Sequence, residues 1–172
     1  MIIREAEEED AAALLAIYST YVKNTAVTFE WTVPTEEEFR GRIRNTKEHF
    51  PYLVAEEDGV PVGYCYAGKF RPRESYHISA EASVYVRFDR RHGGIGKRLY
   101  EALLPRLRGM GIRKLYAIVV TPSEEDPESP EYVTEGSLSF HKSIGFAECG
   151  RFVGCAEKFG HIFDAVFLGR SL

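Results

Sequence analysis

The sequence has few cysteines and lacks a long apolar run. Its three cysteines are an odd number without CxxC spacing, which argues against a disulfide framework and against a cysteine-based zinc site. The longest unbroken apolar stretch runs from Ala11 to Tyr18, far short of the roughly 20 residues that span a bilayer. The N-terminus, MIIREAEEED, is acidic where a signal peptide would be basic and then apolar, so we expect a cytoplasmic protein.

What the sequence does contain is the composition of one globular domain. Of its 172 residues, 44% are hydrophobic and 28% are charged, and 15 Gly with 8 Pro are too few for a collagen-like or low-complexity chain. A chain of this length can bury roughly two-thirds of the surface that it exposes when unfolded. We therefore predict a single domain over residues 1–172.

The charge is unevenly distributed. The net charge of −4 argues against binding of nucleic acid through overall electrostatics. Between Val86 and Lys114, however, nine Lys and Arg residues stand against two acids, so this segment carries +7 and the remainder carries −11. Such a block favours a compact anionic ligand, such as a phosphorylated cofactor, although a solvated basic helix face would give the same pattern.

Local patterns predict an α+β (α/β) fold, with a mixed, mostly antiparallel sheet covered by helices on both faces. A capping box at Thr35 and Glu38 begins one helix, and Asp58-Gly59 joins two β-rich runs as an antiparallel hairpin. Leucines at a spacing of four predict another helix over 95–110. An acidic loop over 123–130 precedes a short helix and two closing strands.

The most distinctive local pattern is Arg90-Arg91-His92-Gly93-Gly94-Ile95-Gly96-Lys97, which follows a predicted strand and opens a predicted helix. Glycines let the backbone approach a ligand closely, and the N–H groups of a first helical turn point at it, so a diphosphate suits this loop. A Walker loop needs Ser or Thr where Arg98 stands, and a dinucleotide fingerprint needs glycine where Leu99 stands. The remaining Arg-x-x-Gly-x-Gly pattern fits an ordinary turn as well as a phosphate site.

One resemblance covers nearly the whole chain. Its most specific part is the run Glu81-Ala-Ser-Val-Tyr-Val86 together with the following Arg-x-x-Gly-x-Gly-Lys-Arg-Leu-Tyr-Glu-Ala-Leu-Leu run, which resembles motif A of the GNAT superfamily of N-acetyltransferases. More narrowly, it resembles the phosphinothricin acetyltransferase-like branch of that superfamily. Four further stretches match that branch: Tyr52-Leu-Val-Ala-Glu-Glu-Asp-Gly, Tyr64-Cys-Tyr-Ala-Gly68 with the loop after it, Phe140-His-Lys-Ser-Ile-Gly-Phe146, and Lys158 through Asp164. The acidic insertion after Thr121, and Ile162-Phe163 in place of a Trp-His pair, depart from the branch.

The resemblance implies the GNAT fold, with strands splayed at the cofactor site, and acetyl-CoA as co-substrate. Backbone groups of the splayed strand would pair with the pantetheine, and the glycine loop would hold the diphosphate. The cofactor-binding residues that it implies are Val84, Tyr85, Val86, Arg91, His92, Gly93, Gly94, Ile95, Gly96 and Lys97.

The resemblance also implies two catalytic residues, Glu81 and His141. An amine must lose a proton before it attacks a thioester, and Glu81 stands where the family places the base. His141 stands where most of the superfamily has a tyrosine, and it would donate a proton to the leaving sulfur or only line the tunnel. From the residues alone, the alternative for Glu81 is an ordinary solvent-facing strand residue, and the alternative for His141 is a structural or surface histidine.

Four further residues match family positions around the substrate: Phe29, Arg71, Arg73 and Tyr76. A guanidinium suits a planar carboxylate or a phosphinate, so the resemblance implies a small amino-acid-like amine of the phosphinothricin, methionine sulfone or methionine sulfoximine class. The plain alternatives are a flexible basic loop with nothing bound and an aromatic core residue at position 29. Because the histidines and cysteines show no ligand-like spacing, we predict no metal.

Three functions remain open from the sequence. The first is direct acetyl transfer from acetyl-CoA to such an amine in a ternary complex. The second is acetylation of a protein N-terminus, and the third is a non-catalytic acyl-CoA-binding sensor. We expect a small-molecule amine as partner, no nucleic acid, no membrane and a homodimer, since dimers are common in this branch.

Overall fold

The computed structural model describes residues 1–129 and 136–172, which contain four α-helices and seven mostly antiparallel strands. This mixed α/β architecture confirms the predicted fold class. The elements are β1 (Ile2–Glu5), α1 (Ala11–Asn24), α2 (Glu36–Lys47), β2 (Tyr52–Glu57), β3 (Val60–Lys69), β4 (Ser79–Val86), α3 (Ile95–Gly109), β5 (Lys114–Pro122), α4 (Ser137–Ser143), β6 (Ala147–Lys158) and β7 (His161–Ser171).

The chain divides into two compact units. The first comprises residues 1–18, 34–115 and 172, and in it β1 to β4 lie side by side in chain order, each antiparallel to the next. The second comprises residues 19–33 and 116–171, and in it the strands lie in the order β5, β7, β6, with β6 and β7 antiparallel. The prediction of a single domain over 1–172 stays a prediction.

Local sequence signals account for the start of α2 and for the β2–β3 turn. The Thr35 hydroxyl accepts from the Glu38 N–H at 3.2 Å, and the Glu38 carboxylate accepts from the Thr35 N–H at 2.7 Å, which confirms the capping box. Asp58 and Gly59 have φ of 50° and 79°, the left-handed pair that a two-residue type I′ hairpin requires. The predicted hairpin is therefore confirmed.

In the first unit, helix α3 packs against β3 through the leucines that the sequence places at a spacing of four. Leu99, Leu103 and Leu107 are fully buried. Pro105 lies inside the helix, which runs without interruption from Ile95 to Gly109. This packing fixes the start of α3 over the sheet.

The second unit is organised around Asp164, a buried carboxylate on β7. Its Oδ1 accepts from the Gly154 N–H at 2.9 Å, and its Oδ2 accepts from the Arg151 guanidinium at 3.0 Å. Burial alone would raise the pKa of Asp164, but the Gly154 N–H, the Ser123 hydroxyl and Arg151 outweigh it, so the pKa lies below its usual range. The ionised carboxylate thus holds the bulged part of β6 against β7.

The described part of the acidic loop, residues 123–129, is bonded to the start of β7. One carboxylate oxygen of Asp126 accepts from the Ile162 N–H at 2.9 Å and lies 3.0 Å from Nδ1 of His161. The last residue of the predicted loop, Pro130, lies outside the described residues. No helix within 1–129 or 136–172 is long and apolar enough to cross a membrane.

The Asp164 contacts predict a measurable loss of stability on substitution. Asp164→Asn keeps the shape of the side chain but leaves the Gly154 N–H and Arg151 with a weaker or absent partner. We expect the free energy of unfolding to fall by about 2 kcal/mol, and Tm to fall by about 4–8 °C. Calorimetry or circular dichroism would measure this change.

The matched control is Glu148→Gln, because Glu148 is the second, exposed carboxylate partner of Arg151, at 3.2 Å. Exposed pairs contribute little, so its Tm should stay within about 2 °C of the wild type. Equal losses for the two variants would contradict a special role of the buried carboxylate.

Candidate active site

Glu81 lies on β4, opposite Gly68 of β3 in the strand register. Its side chain is 32% exposed, and Oε2 lies 3.9 Å from Nη1 of Arg71. Burial raises the pKa of Glu81 and the charge of Arg71 lowers it, and burial is the larger effect, so the pKa lies above the usual value for glutamate. A half-buried carboxylate with a raised pKa is a better proton acceptor than an ordinary surface glutamate.

The side chain of Arg71 is held by its neighbour Phe70. Nη1 of Arg71 donates to the Phe70 carbonyl at 2.8 Å, and the guanidinium carbon lies 4.4 Å from the centroid of the Phe70 ring. The Phe70 ring in turn makes an edge contact with Tyr76, with centroids 5.7 Å apart. The structure therefore brings Arg71, Tyr76 and Glu81 into one cluster.

Arg73 lies in the same loop, at the start of the single helical turn Glu74–Tyr76. Its carbonyl accepts from the Tyr76 N–H at 3.1 Å, and its side chain is exposed. The structure places Arg73 in the loop of the cluster, and its role as a substrate residue stays a prediction.

The glycine loop forms an open cradle at the start of α3. Gly94 has φ of 76°, and a Cβ built there meets no atom within 4 Å. The bond from the Arg98 N–H to the Gly94 carbonyl, at 3.1 Å, opens the helical ladder, so the N–H groups of 95–97 point out of the helix end. An exposed space, outward N–H groups and the positive end of a helix together fit a diphosphate.

The arginines before the cradle are held by neighbouring side chains. Arg90 pairs with Glu57 at 3.2 Å, Arg87 pairs with Asp89 at 2.7 Å, and the Arg91 guanidinium lies 4.7 Å from the Phe88 ring centroid. His92, Gly93 and Lys97 are exposed around the same loop. The basic block seen in the sequence is therefore partly neutralised by acids, and the backbone supplies the rest of the site.

The predicted cofactor strand is the second half of β4. Val84 and Val86 are half-buried, whereas Tyr85 is buried among aromatic rings, 5.2 Å from Tyr64 and 5.1 Å from Tyr18. Pairing with β3 continues through Val86, which lies opposite Gly63. The splay that the sequence analysis expects on this strand stays a prediction.

Gly63 is a residue that the sequence analysis missed. A Cβ at Gly63 would lie 3.0 Å from the Tyr85 carbonyl oxygen and 3.2 Å from Cγ2 of Ile95. The missing side chain therefore lets the start of α3 approach the β3–β4 pair closely. A glycine inside a strand pattern is the signal that points to such a close approach.

His141 lies in the second unit, on α4, and is 4% exposed. Its Nδ1 lies 2.8 Å from the Ser137 carbonyl, which can only accept, so Nδ1 carries the proton. Burial lowers the pKa of His141 and outweighs the effect of this bond. The imidazole is therefore neutral at pH 7, and in this tautomer its Nε2 is an acceptor rather than a donor.

Phe29 also lies in the second unit, packed against the buried cluster of Ala26, Val120 and Phe163. The segment before it is held by Lys158, a residue to which the sequence analysis gave no role. The Lys158 ammonium is almost fully buried and donates to the Thr28 carbonyl at 2.8 Å. Phe29 is thus partly a core residue, and its place at the substrate stays a prediction.

Comparison with known sequences gives one family and several relatives. The model of the acetyltransferase (GNAT) domain matches residues 3–167. The chain is 33% identical to phosphinothricin N-acetyltransferase of Alcaligenes faecalis, covering 99% of this chain and 82% of the relative. It is 32% identical to the L-methionine sulfoximine/L-methionine sulfone acetyltransferase of Pseudomonas aeruginosa, covering 99% of this chain and 94% of the relative.

Solved structures give the same fold. A phosphinothricin acetyltransferase of Sinorhizobium meliloti, in complex with AcCoA, is 30% identical with a TM-score of 0.88, covering 99% of this chain and 88% of that one. A ribosomal-protein-alanine N-acetyltransferase of Brucella melitensis is 36% identical with a TM-score of 0.87, and the two cover each other completely.

The close contact at Gly63 predicts that this position controls the cradle without touching its ligand. Gly63→Ala should push the Tyr85 carbonyl and Ile95 apart by a few tenths of an ångström, because the added methyl group meets both. We expect a loss of about 1 kcal/mol or more in stability and about fivefold weaker acetyl-CoA binding. Titration calorimetry would measure the affinity.

Gly41→Ala serves as the control, since a Cβ at Gly41 in α2 meets no atom within 4 Å. Alanine is the better helix former, so this variant should be at least as stable as the wild type and bind acetyl-CoA equally well. Unchanged binding in Gly63→Ala would show that the contact does not shape the cradle.

Proposed function

Because the chain belongs to the GNAT family of acetyltransferases, we propose that it acetylates the α-amine of a small amino-acid-like substrate. The chain is an N-acetyltransferase that uses acetyl-CoA, as its family and its relatives show. The substrate class that we propose is that of phosphinothricin, methionine sulfone and methionine sulfoximine, which the names of two relatives support. Transfer is direct, by attack of the amine on the thioester in a ternary complex.

One observation carries the choice of substrate class: the Arg71 guanidinium lies 3.9 Å from the Glu81 carboxylate. In an α-amino acid, the amine nitrogen and the carboxyl carbon are bonded to the same carbon atom. A cation beside the proton acceptor can hold the acid group while the amine faces the carboxylate. Arg73 and Tyr76 lie in the same loop and are the further candidates for this contact.

Glu81 acts as the general base in this proposal. It takes one proton from the substrate ammonium, which leaves a neutral amine with a lone pair for the attack. Its raised pKa makes it a stronger base than an ordinary glutamate. The rate should fall as the pH falls through that pKa, because the protonated carboxyl group cannot accept the proton.

The glycine cradle and β4 hold the co-substrate. From Glu81 to Val86 an extended strand rises about 17 Å. That length separates the proposed base from the cradle for the diphosphate, so β4 can align the extended pantetheine arm of acetyl-CoA between them. Backbone N–H groups near Val84, Tyr85 and Val86 are candidates to stabilise the oxyanion that forms on attack.

His141 supplies no acid in this proposal. Its neutral ring, with the proton on Nδ1 bonded to Ser137, has no proton to give from Nε2. A thiol has a pKa of about 8.5, so the leaving thiolate needs little help at neutral pH.

A second candidate is acetylation of a protein N-terminus, favoured by the 36% identity to a protein with the name ribosomal-protein-alanine N-acetyltransferase. A peptide N-terminus carries an amine without a neighbouring acid group, so it would not use Arg71. A sensor without turnover is the third reading, and a half-buried carboxylate with a raised pKa at Glu81 disfavours it. A cytoplasmic location and a homodimer stay predictions from the sequence.

A substrate screen tests the proposal. Release of free CoA thiol should be fastest with methionine sulfone, methionine sulfoximine, phosphinothricin or related amino acids. It should be at least about tenfold slower with their carboxamides, because loss of one charge-assisted contact costs about 1.5–3 kcal/mol. Equal rates with amino acids and an alanine-terminated peptide would overturn the substrate class and favour the second candidate.

Substitution of the base gives a separate prediction. Glu81→Gln keeps the shape of the side chain but cannot accept a proton, so we expect kcat to fall by roughly 10²- to 10⁴-fold. Acetyl-CoA should still protect this variant against heat, by about 2.7 kcal/mol at 100 times its Kd. Wild-type turnover between pH 6 and 9 would assign Glu81 a structural role instead.

A further inference from the structure

Arg71 stands between two negative groups of the proposed reaction. One is the Glu81 carboxylate, 3.9 Å from Nη1. The other is the acid group of the substrate, so this inference rests on the proposed function. We propose that Arg71 couples recognition to catalysis: an anionic substrate that binds its guanidinium weakens the ion pair with Glu81 and thereby activates the base.

The geometry lets one guanidinium serve both partners. Its bond to the Phe70 carbonyl and its position over the Phe70 ring keep it beside Glu81. Its side chain is 40% exposed, so a small anion can reach it from solvent. A guanidinium carries five N–H donors in a planar fork, enough for more than one acceptor. The ion pair is long, which leaves it weak enough for a bound anion to compete.

The charges around Glu81 make Arg71 the residue that can carry this coupling. Its charge acts on the Glu81 carboxylate, in opposition to burial. Five other charged or titratable groups lie at the end of β3, in the loop between β3 and β4, and at the start of β5: Lys69, Arg73, Glu74, His77 and Lys114. The ion pair that the structure gives Glu81 is the one with Arg71. Removal of Arg71 should therefore affect Glu81 in a way that removal of Lys69 does not.

The proton transfer has a simple balance in this scheme. In the free enzyme Arg71 stabilises ionised Glu81, so the carboxylate is ready without a proton. When the substrate binds, its acid group shares the positive charge of Arg71. Glu81 then takes one proton from the substrate ammonium, the carboxylate becomes neutral, and the charge of Arg71 remains balanced by the substrate. Neutral amines bring no such anion and leave the base less active.

The test follows the Glu81 carboxyl group directly, by ¹³C NMR titration, with Glu81→Gln used to assign its signal. In ligand-free enzyme, Arg71→Met should raise the midpoint of the Glu81 titration by about 0.5 pH unit. Arg71→Lys, which keeps the charge, should stay near the wild type, and Lys69→Met should not move the midpoint. An unmoved midpoint in Arg71→Met overturns the proposal.

The coupling itself is tested with the 2-hydroxy analogue of methionine sulfone, which keeps the acid group and has no amine. At saturation it should raise the midpoint by about 0.5 pH unit in the wild type, and by clearly less in Arg71→Met. Equal increases in both enzymes would mean direct repulsion by the anion and would overturn the coupling.

Binding of the analogue is followed independently, by broadening of its own signals. If it binds the wild type without moving the midpoint, only the coupling fails. If it does not bind, the coupling fails together with the proposed substrate class, and the carboxamide then serves to show whether the pocket accepts the rest of the molecule.

Discussion

The pairing of β3 with β4 is the constraint on which the candidate site depends. At one end of this pair, Glu81 lies opposite Gly68, and the loop that follows β3 brings Arg71 to 3.9 Å from the Glu81 carboxylate. At the other end, Val86 lies opposite Gly63, where the absent side chain lets α3 begin close to the sheet. A slip of one residue would turn Glu81 to the opposite face of the sheet and separate it from Arg71. The same ladder of hydrogen bonds therefore fixes both the base and the cradle.

The position and the proton affinity of Glu81, the proposed base, are controlled by different parts of the first unit. The strand fixes where the Glu81 carboxylate lies, whereas its pKa is set by burial, which raises it, and by a guanidinium from the preceding loop, which lowers it. The loop is also the proposed reader of the substrate. A change in this loop would thus alter substrate choice and base strength together, so the two properties cannot be varied independently at Arg71.

Features with a local cause could be predicted from the sequence, and those that depend on distant residues could not. The Thr35 capping box, the Asp58-Gly59 hairpin and the buried face of α3 each follow from residues within one or two turns. The tight turn at Phe159-Gly160, with φ of 56° and 75°, lacks the usual Asn-Gly signal, so the sequence alone does not predict that it joins β6 directly to β7. The approach of Ile95 to Gly63, and of Arg71 to Glu81, required the fold.

The buried polar groups of the second unit bear on which group could protonate the leaving thiolate. Asp164, Lys158 and His141 are each fixed by backbone groups: the Gly154 N–H, the Thr28 carbonyl and the Ser137 carbonyl. For His141 this bond uses the only proton of the neutral ring, and burial lowers its pKa, so protonation of Nε2 is costly. In the proposed mechanism, the proton that the thiolate finally takes therefore comes from another source, such as water or the proton released by the amine. In the proposed mechanism the catalytic demand therefore falls on the base, for which Glu81, paired with Arg71, is the candidate.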